Sequence, residues 1–409
     1  TPYSATMTLT CTTNGVILYE KSYVGVKMTD VFEERLPYYL PVGTVVTASV
    51  TMKTRGVADQ TSSASGTAEG TVPAFFGKGG GRHVIHVRQG ADCLMDGSSW
   101  TDAYPDLTTA FKSAPDADKT EVWLSVTNDY LPTTATLSYP LTIRGGFAGV
   151  ENSETDRVAG VMSVLSANNL FKNLELNNAA GTLLTIERIW TTKSAGSGIK
   201  KGGAGDLLVR DCRFEGLDWS GAANGRGLYA AGGNVAVTNC VFANNVGPNE
   251  NGGNGYGIYL SACTRAAVDD CLFVSNGYKF ASAVSTFYSK IRGVGIFADA
   301  TPTVIRNCRF AANCTPQREA NDGGVVYFNG ACGGSAMTNC VLVGNGEIYS
   351  YQCGNASGHN GALVVCMSKA TDTLDVKNCT IAYNLTHGAS APGGVHVRQG
   401  DVRISDSIV

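Results

Sequence analysis

Charge is scarce in this chain. Asp, Glu, Lys and Arg supply 16% of the 409 residues, against roughly 25% in an average soluble protein. The 31 basic and 34 acidic side chains almost cancel, leaving a net charge of −3. No dense Lys/Arg stripe occurs, so nucleic acid is not expected as a partner. No apolar run reaches the roughly 18 residues of a membrane-spanning helix. Proline, at 12, does not follow the glycine content, and the glycines keep no collagen period. The chain opens at Thr1 with neither an initiator Met nor a basic-then-apolar leader, so it reads as processed or trimmed.

What is present is glycine, with 50 residues against a usual share of about 7%, and 43% hydrophobic residues, which excludes low-complexity disorder. Short Val/Ile/Thr/Phe stretches between turn residues point to an all-β chain. The 13 cysteines are informative through their positions.

Residues 1–70 form one unit. Thr6–Thr13 alternates at strand period, Asn14-Gly15 marks a hairpin turn, and Val16–Tyr19 and Thr44–Met52 read as further strands. This pattern predicts a small β-sandwich. The stretch TLTCTTNGVILYE resembles the Ig-like modules of chitobiase-type proteins. Residues 71–82 read as a linker, within a Ser/Gly-rich composition that starts at 61. Beyond it, Leu107, Ala110, Phe111 and Ala114 fall at helical spacing, with Pro105 at a first helical position. One helix ahead of a long β region is expected to cap it.

The remainder repeats. Val209-Arg-Asp-Cys-Arg-Phe214, Val237-Thr-Asn-Cys-Val-Phe242, Val268-Asp-Asp-Cys-Leu-Phe273 and Ile305-Arg-Asn-Cys-Arg-Phe310 are successive copies. Met337-Thr-Asn-Cys-Val-Leu342, Val376-Lys-Asn-Cys-Thr-Ile381 and Ile404-Ser-Asp-Ser-Ile-Val409 follow, and Leu184–Ile189 is a degenerate first copy. Steps between equivalent positions, counted from Glu187 to Ser407, are 25, 28, 31, 37, 32, 39 and 28 residues.

Strict alternation would place the leading apolar residue and the Cys on opposite faces. Both suit a core, so the backbone must bend between them. The residue at the bend is always Asn or Asp (211, 239, 270, 307, 339, 378, 406), the non-glycine types that best tolerate left-handed backbone. Two strands meeting at a one-residue bend about every 30 residues make one coil of a right-handed parallel β-helix, spanning 83–409. Stacked coils at roughly 4.8 Å turn equivalent residues into ladders. Cys212, Cys240, Cys271, Cys308, Cys340 and Cys379 form one such ladder inside the core. They read as small buried hydrophobes rather than metal ligands, because no C-x-x-C clamp is present. The bend residues are expected to stack as an amide ladder. Cys314 with Cys332 and Cys353 with Cys366 are candidate disulfides.

The FxxN motif (Phe242–Asn245, Phe273–Asn276, Phe310–Asn313) alternates with glycine pairs before apolar strands (Gly323-Gly-Val-Val-Tyr327, Gly393-Gly-Val-His-Val397). Together they resemble the FxxN/GGA[I/L/V] repeats of the polymorphic outer-membrane-protein family, which implies a β-helical surface adhesin or autotransporter passenger. Asp96–Trp100, Ala103-Tyr104, Asp106-Leu107, Ile143–Gly149, Glu151 and Arg157 resemble the entry segment of large secreted bacterial β-helix proteins. One coil departs, with Gly361-Ala-Leu-Val-Val365, and Ser407 replaces the ladder Cys.

The same fold carries polysaccharide lyases and hydrolases, so catalytic groups are sought directly. Asp269, Asp270 and Arg306 lie near one another in the repeat but fall at bend or outward positions, as a solvated face would. His359, within Ser357-Gly-His-Asn-Gly361, is similar to a motif of β-helical galacturonidases but lacks its paired Asp motifs; it reads as a loop residue. His86-Val-Arg-Gln-Gly90 and His396-Val-Arg-Gln-Gly400 repeat one pentapeptide, read as a shared strand-and-turn context. No catalytic residue, metal site or cofactor is expected.

Steps longer than 28 residues mark inserts, which on solenoids lie on a recognition face. Those inserts carry Tyr278, Phe280, Phe287, Tyr288, Tyr349 and Tyr351, candidates for stacking on sugar rings or anchoring a protein. The alternative is that these rings pack locally over the coils. The expected role is a secreted or cell-surface adhesin or structural passenger that binds a glycan or a host or matrix protein. A carbohydrate-active enzyme and an extracellular filament subunit are the alternatives. Ile404–Val409 ends inside a coil, so continuation into further coils and a membrane or cell-wall anchor is expected.

Overall fold

Each turn of the chain is closed by residues in left-handed backbone. Asp211, Asn239, Asp270, Asn307, Asn339, Asn378 and Asp406 all have φ between 49° and 56°, as the bend argument requires. A computed structural model describes residues 4–13, 16–24, 45–55, 61–71, 83–113, 120–127, 129–131, 133–166, 174–194, 196–217, 224–247, 253–278, 291–313, 323–346, 361–385 and 393–409.

From His83 onward the strands stack into three parallel sheets that wrap one core, a parallel β-helix. Face I has nine strands, from Thr133–Leu137 to Val395–Gln399. Face II has 11, from His83–Val87 to Asp401–Ser405. Face III has eight, from Ser163–Ser166 to Thr380–Ala382. One coil runs Ile258–Ser261 on face I, Arg265–Asp269 on face II and Leu272–Val274 on face III. A single hydrophobic cluster continues through the stack from Ile85 to Ile381. The helix Leu107–Ser113 sets Leu107, Ala110 and Phe111 into its N-terminal end. Asp106 caps that helix, accepting from Thr109 N at 2.7 Å, so Pro105 precedes the cap instead of opening the helix.

The ladders follow from register. Phe214, Phe242, Phe273 and Phe310 stack face to face, with centroids 4.6, 4.9 and 4.6 Å apart. The six ladder cysteines are buried. The degenerate first copy sits two residues later than its sequence suggests. Glu187 pairs with Arg210, and Trp190 with Arg213. Ile189 therefore occupies the ladder position and Arg188, at φ 51°, the bend, while Glu187 lies on the row of Arg144 and Arg210.

The buried amide ladder is built from the Asn of FxxN instead of the bend residue. Nδ2 of Asn276, Asn313 and Asn345 each donates at 2.9 Å to Oδ1 of the next Asn, ending at Asn384. The same Nδ2 atoms reach backward to the carbonyls of Phe242, Phe273 and Phe310. Bend residues are bonded more sparsely and at the surface, as in Asn239 Nδ2 to Asp211 Oδ1 at 2.7 Å. The reason is depth: the FxxN amides are closed off from water and must find protein partners.

Residues 1–70 contribute one four-stranded antiparallel sheet among the described residues, ordered Val16–Val24, Ser4–Thr13, Val45–Arg55, Thr61–Thr71. The hairpin register brings Thr13 opposite Val16. The Ser/Gly-rich stretch 61–71 is a paired strand: its residues lie along Val45–Arg55, so only Thr71 of the expected 71–82 linker is in a strand. Residues 72–82 lie outside the described residues.

Candidate functional site

Three places concentrate chemistry-bearing side chains. The first is the entry coil, where Arg144, Glu187 and Arg210 are successive residues of one face II row. Glu187, 1% exposed, meets Arg144 at 2.7 Å, Arg157 at 3.6 Å, and Arg210. Arg144 also pairs with Glu121 and Glu154. Beside them, Trp123 stacks on Phe147 at 4.5 Å, and His86 presents an edge to Trp100 and Trp123. Residues 148–162 are pinned alongside. Trp100 Nε1 donates to Glu151 O, and the Glu151 carboxylate accepts from the backbone N–H groups of Ala148, Gly149 and Val150. Burial opposes ionisation of Glu151, but those N–H groups win and hold its pKa below the ordinary value. Every carboxylate named here is bonded, with Glu187 buried at the centre and Arg210 and Glu154 reaching solvent, so the cluster holds the entry coil together.

The second is the thiol ladder. Cys212, Cys240, Cys271, Cys308, Cys340 and Cys379 are free, as are Cys263, Cys332 and Cys366. The candidate disulfides through Cys332 and Cys366 are therefore not formed. Cys332 is fully buried, and its thiol donates to the carbonyls of Asn329 and Ala298. Cys314 and Cys353 lie outside the described residues. The neighbouring Cys308 thiol, then burial, pushes Cys340 up to about 12. Burial and neighbouring thiols likewise raise Cys240, Cys271, Cys308 and Cys379, which disfavours the reactive thiolate there. Among the described residues no group of three His, Cys, Asp or Glu is placed to hold a metal ion.

The third is face I with the corner that feeds it. Alternate residues put Tyr229, Tyr259, Phe297, Tyr327 and Val364 on one outward row. Tyr229 stacks on Tyr259 at 5.4 Å and Tyr259 on Phe297 at 5.2 Å, with Lys200 Nζ over the Tyr229 ring at 5.9 Å. Their ring faces are thus taken by neighbours, and the row works as packing rather than as a platform for sugars. Two residues further on, Asp299 accepts from Tyr259 OH at 3.0 Å and from Asn329 Nδ2 at 2.7 Å. Burial, then the Asp299 charge, raises the Tyr259 phenol well above its usual range. The sequence carried a signal for this row: Gly227-Leu-Tyr, Gly257-Ile-Tyr and Gly295-Ile-Phe place an aromatic after each second glycine.

The corners differ in kind. From face II to face III most coils bend at one left-handed residue followed by the ladder position. From face I to face II the connections are short, such as 203–205, 232–233, 262–264 and 300–302. From face III to face I they are long and unequal: 216–227, 244–257, 275–295, 312–325, 344–362 and 383–394. In sequence, all six candidate recognition residues fall within these connections. Tyr278 closes the two-residue strand Gly277–Tyr278, paired with Val246–Gly247. Phe280, Phe287, Tyr288, Tyr349 and Tyr351 lie outside the described residues, as does His359. Asp269 and Arg306 are cross-strand partners on face II, half-buried and exposed. Of the repeated pentapeptides, His86 lies on face II and His396 on face I. Both run from a strand to a left-handed glycine, Gly90 or Gly400, in unlike surroundings.

No curated protein matches the chain. The family model described as right handed beta helix region matches residues 148–366, more than half of the chain and the same coils that stack here, so the chain belongs to the right-handed β-helix family.

Proposed function

We propose that this protein is a β-helical scaffold whose face III to face I corner displays recognition loops to a glycan or a host or matrix protein, at the bacterial cell surface or after secretion. The observation that carries this reading is the run of six successive long and unequal connections at one corner, from residue 216 onward. Two corners are short in nearly every coil, so connections differing widely in length arise side by side along one edge. A solenoid that varies only there keeps a rigid body while diversifying one strip. The FxxN and glycine-pair motifs support a polymorphic outer-membrane-protein-like adhesin or autotransporter-type passenger within the family. Tyr278, Phe280, Phe287, Tyr288, Tyr349 and Tyr351 are the recognition residues in this reading.

Binding to immobilised glycans and matrix proteins tests it. The wild-type protein binds a ligand from one of these classes, and the Tyr288→Ala/Tyr351→Ala double variant loses that binding while keeping its thermal midpoint. Undiminished binding by the double variant would place recognition elsewhere. Release of unsaturated uronates from acidic polysaccharides would move the reading to a β-helical lyase.

A further inference from the structure

Lys201 is fully buried in the strand Ile199–Gly202. Its Nζ lies 2.9 Å from the carbonyl oxygen of Gly203, 2.5 Å from Gly205, 2.9 Å from Ala231 and 3.0 Å from Gly232. Three N–H bonds face four oxygens, so this is a coordination shell more than a set of paired hydrogen bonds. Among the described residues no carboxylate forms an ion pair with Lys201; carbonyl dipoles balance its charge.

The shell is built by glycine. Gly203 and Gly205 belong to one corner between faces I and II, and Gly232 and Gly233 to the corner of the next coil. A Cβ on Gly232 would stand 2.5 Å from Gly203 O, and one on Gly233 would overlap Gly205 O. Only residues without side chains let the two corners approach so closely, and that approach gathers the four oxygens around one point. Further along the same corner the interior is neutral: the thiols of Cys263 and Cys332 each donate at 3.4 Å to the carbonyls of Ala230 and Ala298. The cation is confined to one step of the stack.

We propose that this corner is a monovalent-cation site, filled from within the chain by the Lys201 ammonium. Uncharged carbonyl oxygens alone suit a weakly hydrated monovalent ion. Calcium favours carboxylates at roughly 2.3–2.6 Å, and magnesium needs about 2.0–2.1 Å. Removing the side chain leaves the shell for a potassium- or ammonium-sized ion.

The test is the thermal midpoint of the whole chain in potassium, ammonium, sodium and tetramethylammonium chloride at equal ionic strength. The wild-type midpoint is the same in all four. Lys201→Ala melts lower in sodium and tetramethylammonium, and potassium or ammonium raises it saturably toward wild type. Lys201→Met, whose apolar stem fills the site, melts low in every salt. Identical midpoints for Lys201→Ala across the four salts overturn the proposal, as does wild-type stability in Lys201→Met. If Lys201→Ala is recovered unfolded, refolding yield replaces the midpoint, and equal failure in all four salts is the overturning result.

Discussion

Gly257 and Phe273 meet where no side chain fits between them: a Cβ on Gly257 would stand 2.8 Å from Phe273 Cδ1 and overlap the carbonyl oxygen of Gly295. The same contact recurs one coil earlier with Gly227 and Phe242, and one coil later with Gly295 and Phe310. The second glycine of each Gly-x-Gly (227, 257, 295) and the Phe of each FxxN are therefore two sides of one packing unit. The Phe ring fills the volume that a glycine leaves.

Gly257→Ala is expected to destabilise the protein by about 1–3 kcal/mol, the usual cost of forcing a methyl group into a packed core. Shortening the ring with Phe273→Leu is not expected to restore stability, because the overlap with Gly295 O is with backbone. Denaturant midpoints of both single variants and the double variant check this; full recovery in the double variant would assign the conflict to the ring alone.

His86 makes the entry coil pH-sensitive. Its Nδ1 lies 3.0 Å from Gly97 O. A carbonyl only accepts, so Nδ1 carries the proton and Nε2 is the titrating atom. Burial between Trp100 and Trp123 lowers its pKa below the ordinary 6.5, against the opposing effect of the Gly97 bond. The unfolded chain therefore takes up a proton at higher pH than the folded one. This contribution to stability is complete above about 6.5 and is lost as the pH falls toward the folded value. Thermal midpoints of wild type and His86→Gln between pH 8 and pH 5 should diverge least at the acid end.

The ladder thiols should resist alkylation in the folded protein. Cys93 and Cys366 are half-buried and label first. Cys240, Cys271, Cys308, Cys340 and Cys379 have raised pKa values, through neighbouring thiols and burial, so they label only as the coils unfold. Mass spectrometry of iodoacetamide-treated protein across a urea series measures this; labelling of Cys308 without urea would contradict it.

The coil could be read from sequence because its strongest constraint is local. A bend that needs left-handed backbone selects Asn or Asp, and all seven occur at that position. The first copy was displaced because Arg188 performs the bend there and breaks the residue-type rule, while Ile189 replaces the ladder Cys. The bend residues do bond from coil to coil in places, as Asn239 with Asp211 and Asn339 with Asn307, but sequence gives spacing and not depth, so it does not show that the FxxN Asn forms the buried ladder. Face I was missed for another reason. Its aromatic row depends on which alternate residues point outward, and that phase is reset at each unequal connection before the strand. Lys201 carried no signal at all, since its four partners are backbone atoms from two coils.

The unequal corner has a consequence for how this chain measures length. Faces I, II and III return to the same register after each turn, whether the turn consumes the 28 residues between Cys212 and Cys240 or the 39 between Cys340 and Cys379. The molecule is periodic in space without being periodic along the chain. An added residue between faces III and I is absorbed where it occurs, while one added within a face III strand would rotate every later side chain of that strand from core to solvent. Insertions can therefore accumulate along one edge as independent events, each invisible to the coil above it.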